Sequence, residues 1–194
     1  MPEKEFTKET NARRADTFFD AYYTAIASHY NELHGEEQLR KLRIIKEFLE
    51  KHNLLVSSDT ILDVGCGTGL SAQVFKNNII GVEPSELANQ APFLVKRCKA
   101  EQLPFEDSSF DIVICVTALH NMNSQEKAVQ EIKRVGRKLF VVTILKKSSK
   151  LAELEKLLAQ QFVIIAELDD LHDKIFILKQ VKTQHAASIG HNTR

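Results

Sequence analysis

The sequence predicts an α/β fold, a doubly wound and mostly parallel seven-stranded sheet with a C-terminal antiparallel hairpin. Three observations carry this expectation. Short apolar runs alternate with amphipathic stretches over most of the chain, and such alternation implies parallel strands with helices on both faces. The first apolar run ends directly on glycines, as a buried parallel strand does. The last two apolar runs are separated only by an acidic turn, so they pair as a hairpin.

In order, Leu39, Leu42, Ile45 and Leu49 recur at helical spacing within Glu36–His52, with charges on the other face. Thr60-Ile61-Leu62-Asp63-Val64 is the first strand, and Gly69–Lys76 forms a helix. Asn78-Ile79-Ile80-Gly81-Val82 is the second strand. Phe93-Leu94-Val95 opens a third, running toward Cys98, and Phe110–Val116 is the fourth and most apolar. Asn123 and Glu126 form a capping pair for a helix carrying Ala128, Val129, Ile132 and Val135, which Gly136 stops. Leu139–Leu145 is the fifth strand. Leu151, Leu154, Leu157 and Leu158 mark a further amphipathic helix. Phe162–Ala166 and Lys174–Leu178, parted by Asp169-Asp170, are the hairpin. In such sheets ligands bind beyond the carboxyl ends of the strands, so residues that carry chemistry belong just after a strand.

Composition narrows the class. The 194 residues are 43% hydrophobic and 27% charged, as in an ordinary soluble domain. Lys+Arg and Asp+Glu are 26 each, a balance that exerts no global pull toward nucleic acid or an anionic membrane. Cys66, Cys98 and Cys115 contain no CxxC pair and read as reduced thiols of a cytoplasmic protein. The charged first residues exclude an apolar signal segment, and no apolar run approaches the ~18 residues of a membrane span. The expected organisation is a helical lead-in or lid over 1–35, a ligand-binding domain over 36–182 and a disordered tail over 183–194. The seven histidines show no i,i+4 pair and no adjacent cysteine, so no metal site is expected.

Two motifs sit where the fold predicts ligands. Asp63-Val64-Gly65-Cys66-Gly67-Thr68-Gly69 follows the first strand and opens a helix. Its glycines permit positive φ and close approach of a ligand to the backbone. The G-x-G-x-G spacing differs from the dinucleotide fingerprint, and no Lys-Ser/Thr follows as in a P-loop. Asp63 before the glycines suits a cationic ligand and repels phosphate. Glu83 ends the second strand. Alone it reads as a solvated strand-end charge; paired with the glycine loop, it reads as a carboxylate for two ribose hydroxyls.

Ile61–Gly69, Gly81-Val82-Glu83-Pro84-Ser85 and the Ala100–Asp111 segment, in that order, resemble the class I S-adenosylmethionine-dependent methyltransferases, with the ubiquinone/menaquinone-biosynthesis subgroup the most similar. The resemblance covers roughly residues 20 to 180. It implies a Rossmann-like methyltransferase fold and S-adenosyl-L-methionine as cofactor. It implies that Asp63, Gly65 and Gly67 line the methionine part, that Glu83 holds the ribose hydroxyls, that Ala100 and Glu101 lie beside adenine, and that Cys66 and Pro84 also belong to the cofactor-binding set. Many relatives carry Asp just before that alanine, where this chain has Lys99. Tyr23–Asn31 is similar to the lead-in of the same subgroup, with Thr24 and Asn31 in place of acids; it points to Tyr30 as an aromatic closing over the site, although a packing tyrosine fits equally.

In Val116–Met122, after the fourth strand, the acceptor approaches the methyl group. His120 stands where relatives often carry a histidine, to orient the acceptor or take its proton; a loop histidine bonded to backbone is the competing reading. The Asn-Pro-Pro-Tyr-like motif of amino-methylating enzymes is absent. A small-molecule acceptor is the expected partner. Lys133, Arg134, Arg137, Lys138, Lys146, Lys147 and Lys150 form a basic cluster that would serve a tRNA or rRNA acceptor instead. A non-catalytic, cofactor-binding regulatory subunit is the third reading. The third strand, at a sheet edge with an apolar face, suggests a homodimer or a small activator subunit.

Overall fold

The computed structural model of the protein describes residues 22–23 and 25–181. The expectations for the first residues and for the tail 183–194 lie outside the described residues, as does Thr24. Helix α1 (Tyr30–Lys51) leads into β1 (Thr60–Val64), the single-turn α2 (Ser71–Val74), β2 (Asn78–Val82), β3 (Val95–Lys96) and β4 (Phe110–Cys115). Then come α3 (Gln125–Val135), β5 (Gly136–Leu145), α4 (Leu151–Gln161), β6 (Phe162–Asp169) and β7 (Asp173–Gln180), with 3₁₀ turns at Glu86–Gln90 and Leu119–Asn121.

The described strands form one sheet in the order β3-β2-β1-β4-β5-β7-β6. Its first five strands are parallel, and β7 enters antiparallel between β5 and β6. This is the predicted fold class. Strand alternation divides the core in two. Leu62, Val64, Val113, Cys115, Phe140 and Val142 pack under α3 and α4. Ile61, Ile112, Ile114, Val141, Ile175 and Ile177 pack under α1 and α2. Among the described residues, no helix is long and apolar enough to cross a membrane.

Several boundaries move, each for a physical reason. Helix α1 starts at Tyr30 rather than Glu36, because its first turns face the glycine loop and not the apolar core. Thr68 Oγ1 donates to Asn31 Oδ1 at 2.6 Å there, and the boundary expected between residues 35 and 36 falls inside this helix. Strand β5 begins at Gly136 itself, which stops α3 in an extended conformation. Only glycine fits at that junction, since a Cβ would lie 2.3 Å from the Phe140 ring. The cap of α3 is Ser124, not Asn123: its Oγ accepts from Lys127 N, and Glu101 Oε1 accepts from the amides of Asn123 and Ser124. Strand β3 shrinks to two residues at the sheet edge.

Candidate active site

A cleft opens at the carboxyl ends of β1, β2 and β4. Gly65, Gly67, Glu83, Pro84, Ala100 and Glu101 all line it, with Tyr30 among them. Its floor is the loop after β1, where Gly65 N and Cys66 N donate back to Val82 O at 2.8 and 3.1 Å. Gly65 (φ +73) and Gly67 (φ +53) hold left-handed backbone, which glycine adopts without a steric cost. A Cβ at Gly65 would sit 2.5 Å from Ala118 Cβ, so the turn after β4 packs directly onto bare backbone.

Glu83, one residue past β2, is buried at 7% exposure. Its Oε2 accepts from Gly67 N at 3.1 Å and its Oε1 from Ser85 N at 2.9 Å. A carboxylate offers about four lone-pair sites, so two amides fix its orientation and leave capacity for hydroxyls of a ligand. Glu101 also lines the cleft, but its Oε1 is engaged by the two amides before α3. Lys99 lines the same wall.

Asp63 is elsewhere. Alternation along β1 turns it to the α1 face, where it lines a second, smaller cavity with Cys66, Thr68, Ser71 and Gln38. Gly65, Tyr30 and Val116 line both spaces and so form the junction between them. Asp63 Oδ2 accepts from Ser71 Oγ at 2.6 Å. Burial pushes its carboxyl up to about 7, the Ser71 bond opposing and the charge of Glu83 adding to the shift. Cys66 packs onto Gly81, where a Cβ would lie 2.6 Å from its Sγ; burial raises its thiol far above the usual range, which makes it a packing residue rather than a nucleophile.

Tyr30 stands over the glycine loop, its ring 3.8 Å from where a Cβ on Gly67 would be. Tyr23 meets it edge-on at 6.2 Å, and Asn121 Nδ2 donates to Tyr23 Oη at 3.0 Å. Burial raises the Tyr30 hydroxyl well above its ordinary value, with Tyr23 and Glu83 adding to the shift, so it stays protonated.

His120 is not brought to the cleft. The turn Leu119–Asn121 presents Ala118, Asn121 and Met122 to the cavity, and His120 is absent from its lining. Its Nδ1 is buried without a partner, its carbonyl accepts from Lys150 Nζ, and burial lowers its pKa. Sequence reasoning overlooked Asn121, which lies within the same segment, and Leu87, whose signal was only its place after the Glu83 turn. Among the described residues no His, Cys, Asp or Glu group could hold a metal ion.

Residues 62–139 match the methyltransferase domain family. The chain is 26% identical over 146 residues to a ubiquinone/menaquinone biosynthesis C-methyltransferase of Xylella fastidiosa, covering 66% of this chain and 58% of that protein. It is 26% identical over 122 residues to a probable tRNA methyltransferase 9B of Bos taurus, covering 60% of this chain and 25% of that one. The chain spans about half the length of the curated relatives it matches first. The magnesium protoporphyrin IX methyltransferase of Synechocystis, solved with bound SAM, superposes with a TM-score of 0.70 at 15% identity over 86% of this chain and 97% of that one, a likeness of fold. The domain match starts inside β1 and ends inside β5, the half of the sheet whose strand ends form the cleft, and over that stretch the chain is similar to the methyltransferase domain family.

Proposed function

We propose that this chain binds S-adenosyl-L-methionine in the cleft and transfers its methyl group to a small-molecule acceptor. The observation that carries the reading is the buried carboxylate of Glu83, aimed by the amides of Gly67 and Ser85 at the rim of a glycine-floored cleft. The residues fit the cofactor: bare backbone at Gly65 and Gly67 for close approach, Glu83 for the ribose hydroxyls, Pro84 and Leu87 beside the sugar, Ala100 and Glu101 at the adenine end. The junction at Gly65 lets the methionine end reach the second cavity and Asp63. When bound, the cofactor supplies a methyl group already activated by a cationic sulfur. The protein then positions the acceptor and excludes water, with Tyr30, Tyr23 and Asn121 as the positioning groups. His120 has no part in this reading.

The basic cluster does not favour RNA. Arg134, Arg137, Lys138 and Lys146 are paired with Asp107, Asp111, Asp59 and Asp169. Arg137 and Lys138 lie at the start of β5, the sheet end away from the cleft. The reading includes a cytoplasmic setting and association through the β3 edge, where Leu94 is exposed; light scattering at micromolar concentration tests the latter, and a strictly monomeric protein counts against it.

The central test is calorimetric titration with S-adenosylhomocysteine, followed by transfer of labelled methyl into extract separated into small molecules, RNA and protein. One-to-one binding with label in the small-molecule fraction is expected. Label in RNA moves the acceptor to nucleic acid. Binding without label in any fraction makes the chain a non-catalytic subunit, and absence of binding ends the assignment.

A further inference from the structure

Beneath the part of the cleft wall formed by Val116, Thr117 and Ala118 lies a buried polar cluster that the reading above leaves without a role. Lys41 of α1 and Asp173 of β7 are both fully buried. All three protons of the ammonium are placed: Lys41 Nζ donates to Asp173 Oδ2 at 2.9 Å, to Glu37 Oε1 at 2.9 Å and to Thr117 Oγ1 at 2.6 Å. Asp173 Oδ1 accepts from the hydroxyls of Thr117 and Thr143 at 3.2 and 3.3 Å. Thr143 Oγ1, from β5, accepts the backbone N–H of Thr117 at 2.8 Å. Three distant elements therefore converge on one residue.

That residue is strained. Thr117 has φ +55, a region a β-branched side chain rarely enters. Such conformations persist only where the surroundings over-determine them, and they gather at functional sites. The cluster over-determines this one, holding the amide and the hydroxyl together. Stability alone does not explain it, because a well-packed apolar pair in place of a buried ion pair is often neutral or better. The consequence is felt at the cleft. Thr117 and Ala118 line it, and Ala118 sits against Gly65 at a distance that only glycine allows.

We infer that Lys41, Asp173 and Thr143 are positioning residues that clamp Thr117 in its left-handed conformation and so fix the acceptor side of the cleft against the glycine loop. The inference rests on the methyltransferase reading above. Its test uses the full chain with Thr117→Val, which keeps the branched shape and removes the hydroxyl, and Thr117→Ser, which keeps the hydroxyl. The double variant Lys41→Met/Asp173→Asn removes both fully buried charges together, leaving without its partner only the partly exposed carboxylate of Glu37; thermal melts confirm that each variant is folded.

Thr117→Val and the double variant are expected to lower methyl transfer into the responsive extract fraction by about tenfold or more, in plateau rate or in the amount of fraction needed for half-saturation. The Kd for S-adenosylhomocysteine stays within about twofold, and Thr117→Ser recovers most of the rate. Transfer by Thr117→Val equal to wild type overturns the clamp. So does a loss of S-adenosylhomocysteine binding in step with transfer, which marks a merely structural role. A wild-type protein that neither binds S-adenosylhomocysteine nor transfers a methyl group overturns the methyltransferase reading first, and the acceptor-side role with it.

Discussion

At the scale of single residues, Glu83, Gly65 and Asp63 each carry a measurable consequence. Glu83→Gln exchanges an acceptor oxygen for an amide that must face either Gly67 N or Ser85 N. The loss of a charge-assisted contact to the ligand costs about 1.5–3 kcal/mol, roughly 10- to 150-fold in the Kd for S-adenosylhomocysteine by calorimetry. Gly65→Ala combines left-handed strain with a Cβ overlapping Ala118, 2.5 Å away; together these cost about 3 kcal/mol, a fall of ~6–12 °C in Tm for a chain of this size. Asp63 gives the protein a pH signature. Its carboxyl is raised to about 7 in the folded state, whereas an unfolded aspartate titrates near ~4. Between those values the folded protein keeps a proton that the unfolded chain has lost, so stability falls as pH rises through the window and levels off above it. Asp63→Asn removes this slope, so urea unfolding at matched pH should show wild type losing ground to the variant from pH ~5 to ~7.5. A constant difference between the two proteins would show that burial of Asp63 carries no such penalty.

At the scale of elements, α1 is the piece whose weight the sequence hides. Its apolar stripe at Leu39, Leu42, Ile45 and Leu49 was legible because burial against β1, β4 and β7 imposes helical spacing. Its start was not, because Tyr30 lines the cleft and Asn31 bonds Thr68 of the glycine loop instead of packing in a core, and a site leaves no periodic pattern. Lys41 reads as one more surface charge until its place is noticed, four residues before Ile45 and hence on the buried side. Lys41→Met alone strands the carboxylate of Asp173 without a countercharge, at a cost of about 3–5 kcal/mol. The double change Lys41→Met/Asp173→Asn should return most of the lost Tm in a calorimetric scan. If the single variant melts like wild type, the buried pair contributes nothing. The same logic explains His120. Its position after β4 was readable from the motif, but its direction depends on a 3₁₀ turn of three residues that no periodicity announces. The cap of α3 shifted for a related reason: the partner of its free amides, Glu101, is remote in sequence.

At the scale of the molecule, the doubly wound sheet was legible nearly in full, since each buried parallel strand must be apolar and each crossover needs a helix. The pairing of β6 with β7 followed from the short acidic turn, whereas the turn does not determine which of the two lies beside β5, a place taken by β7. The charge pattern was less informative, because seven cations close in sequence look like a patch until four of them are set beside carboxylates remote in sequence, Asp59 before β1, Asp107 before β4, Asp111 in β4 and Asp169 at the end of β6. With that pairing, bulk tRNA should bind at physiological salt no more tightly than about 10⁻⁴ M, as read by fluorescence anisotropy. Submicromolar binding with a steep salt slope would reassign the acceptor. The helix that bears Tyr30 near one end is pinned at Lys41, some 16 Å along its axis at ~1.5 Å per residue. A rod nailed at its middle makes a poor door. Room for a ligand to pass is better sought at the other jamb, the bend at residues 26–29 with Tyr23 ahead of it, which among the described residues two side-chain hydrogen bonds latch: Asn121 Nδ2 to Tyr23 Oη and Gln90 Nε2 to Ala27 O.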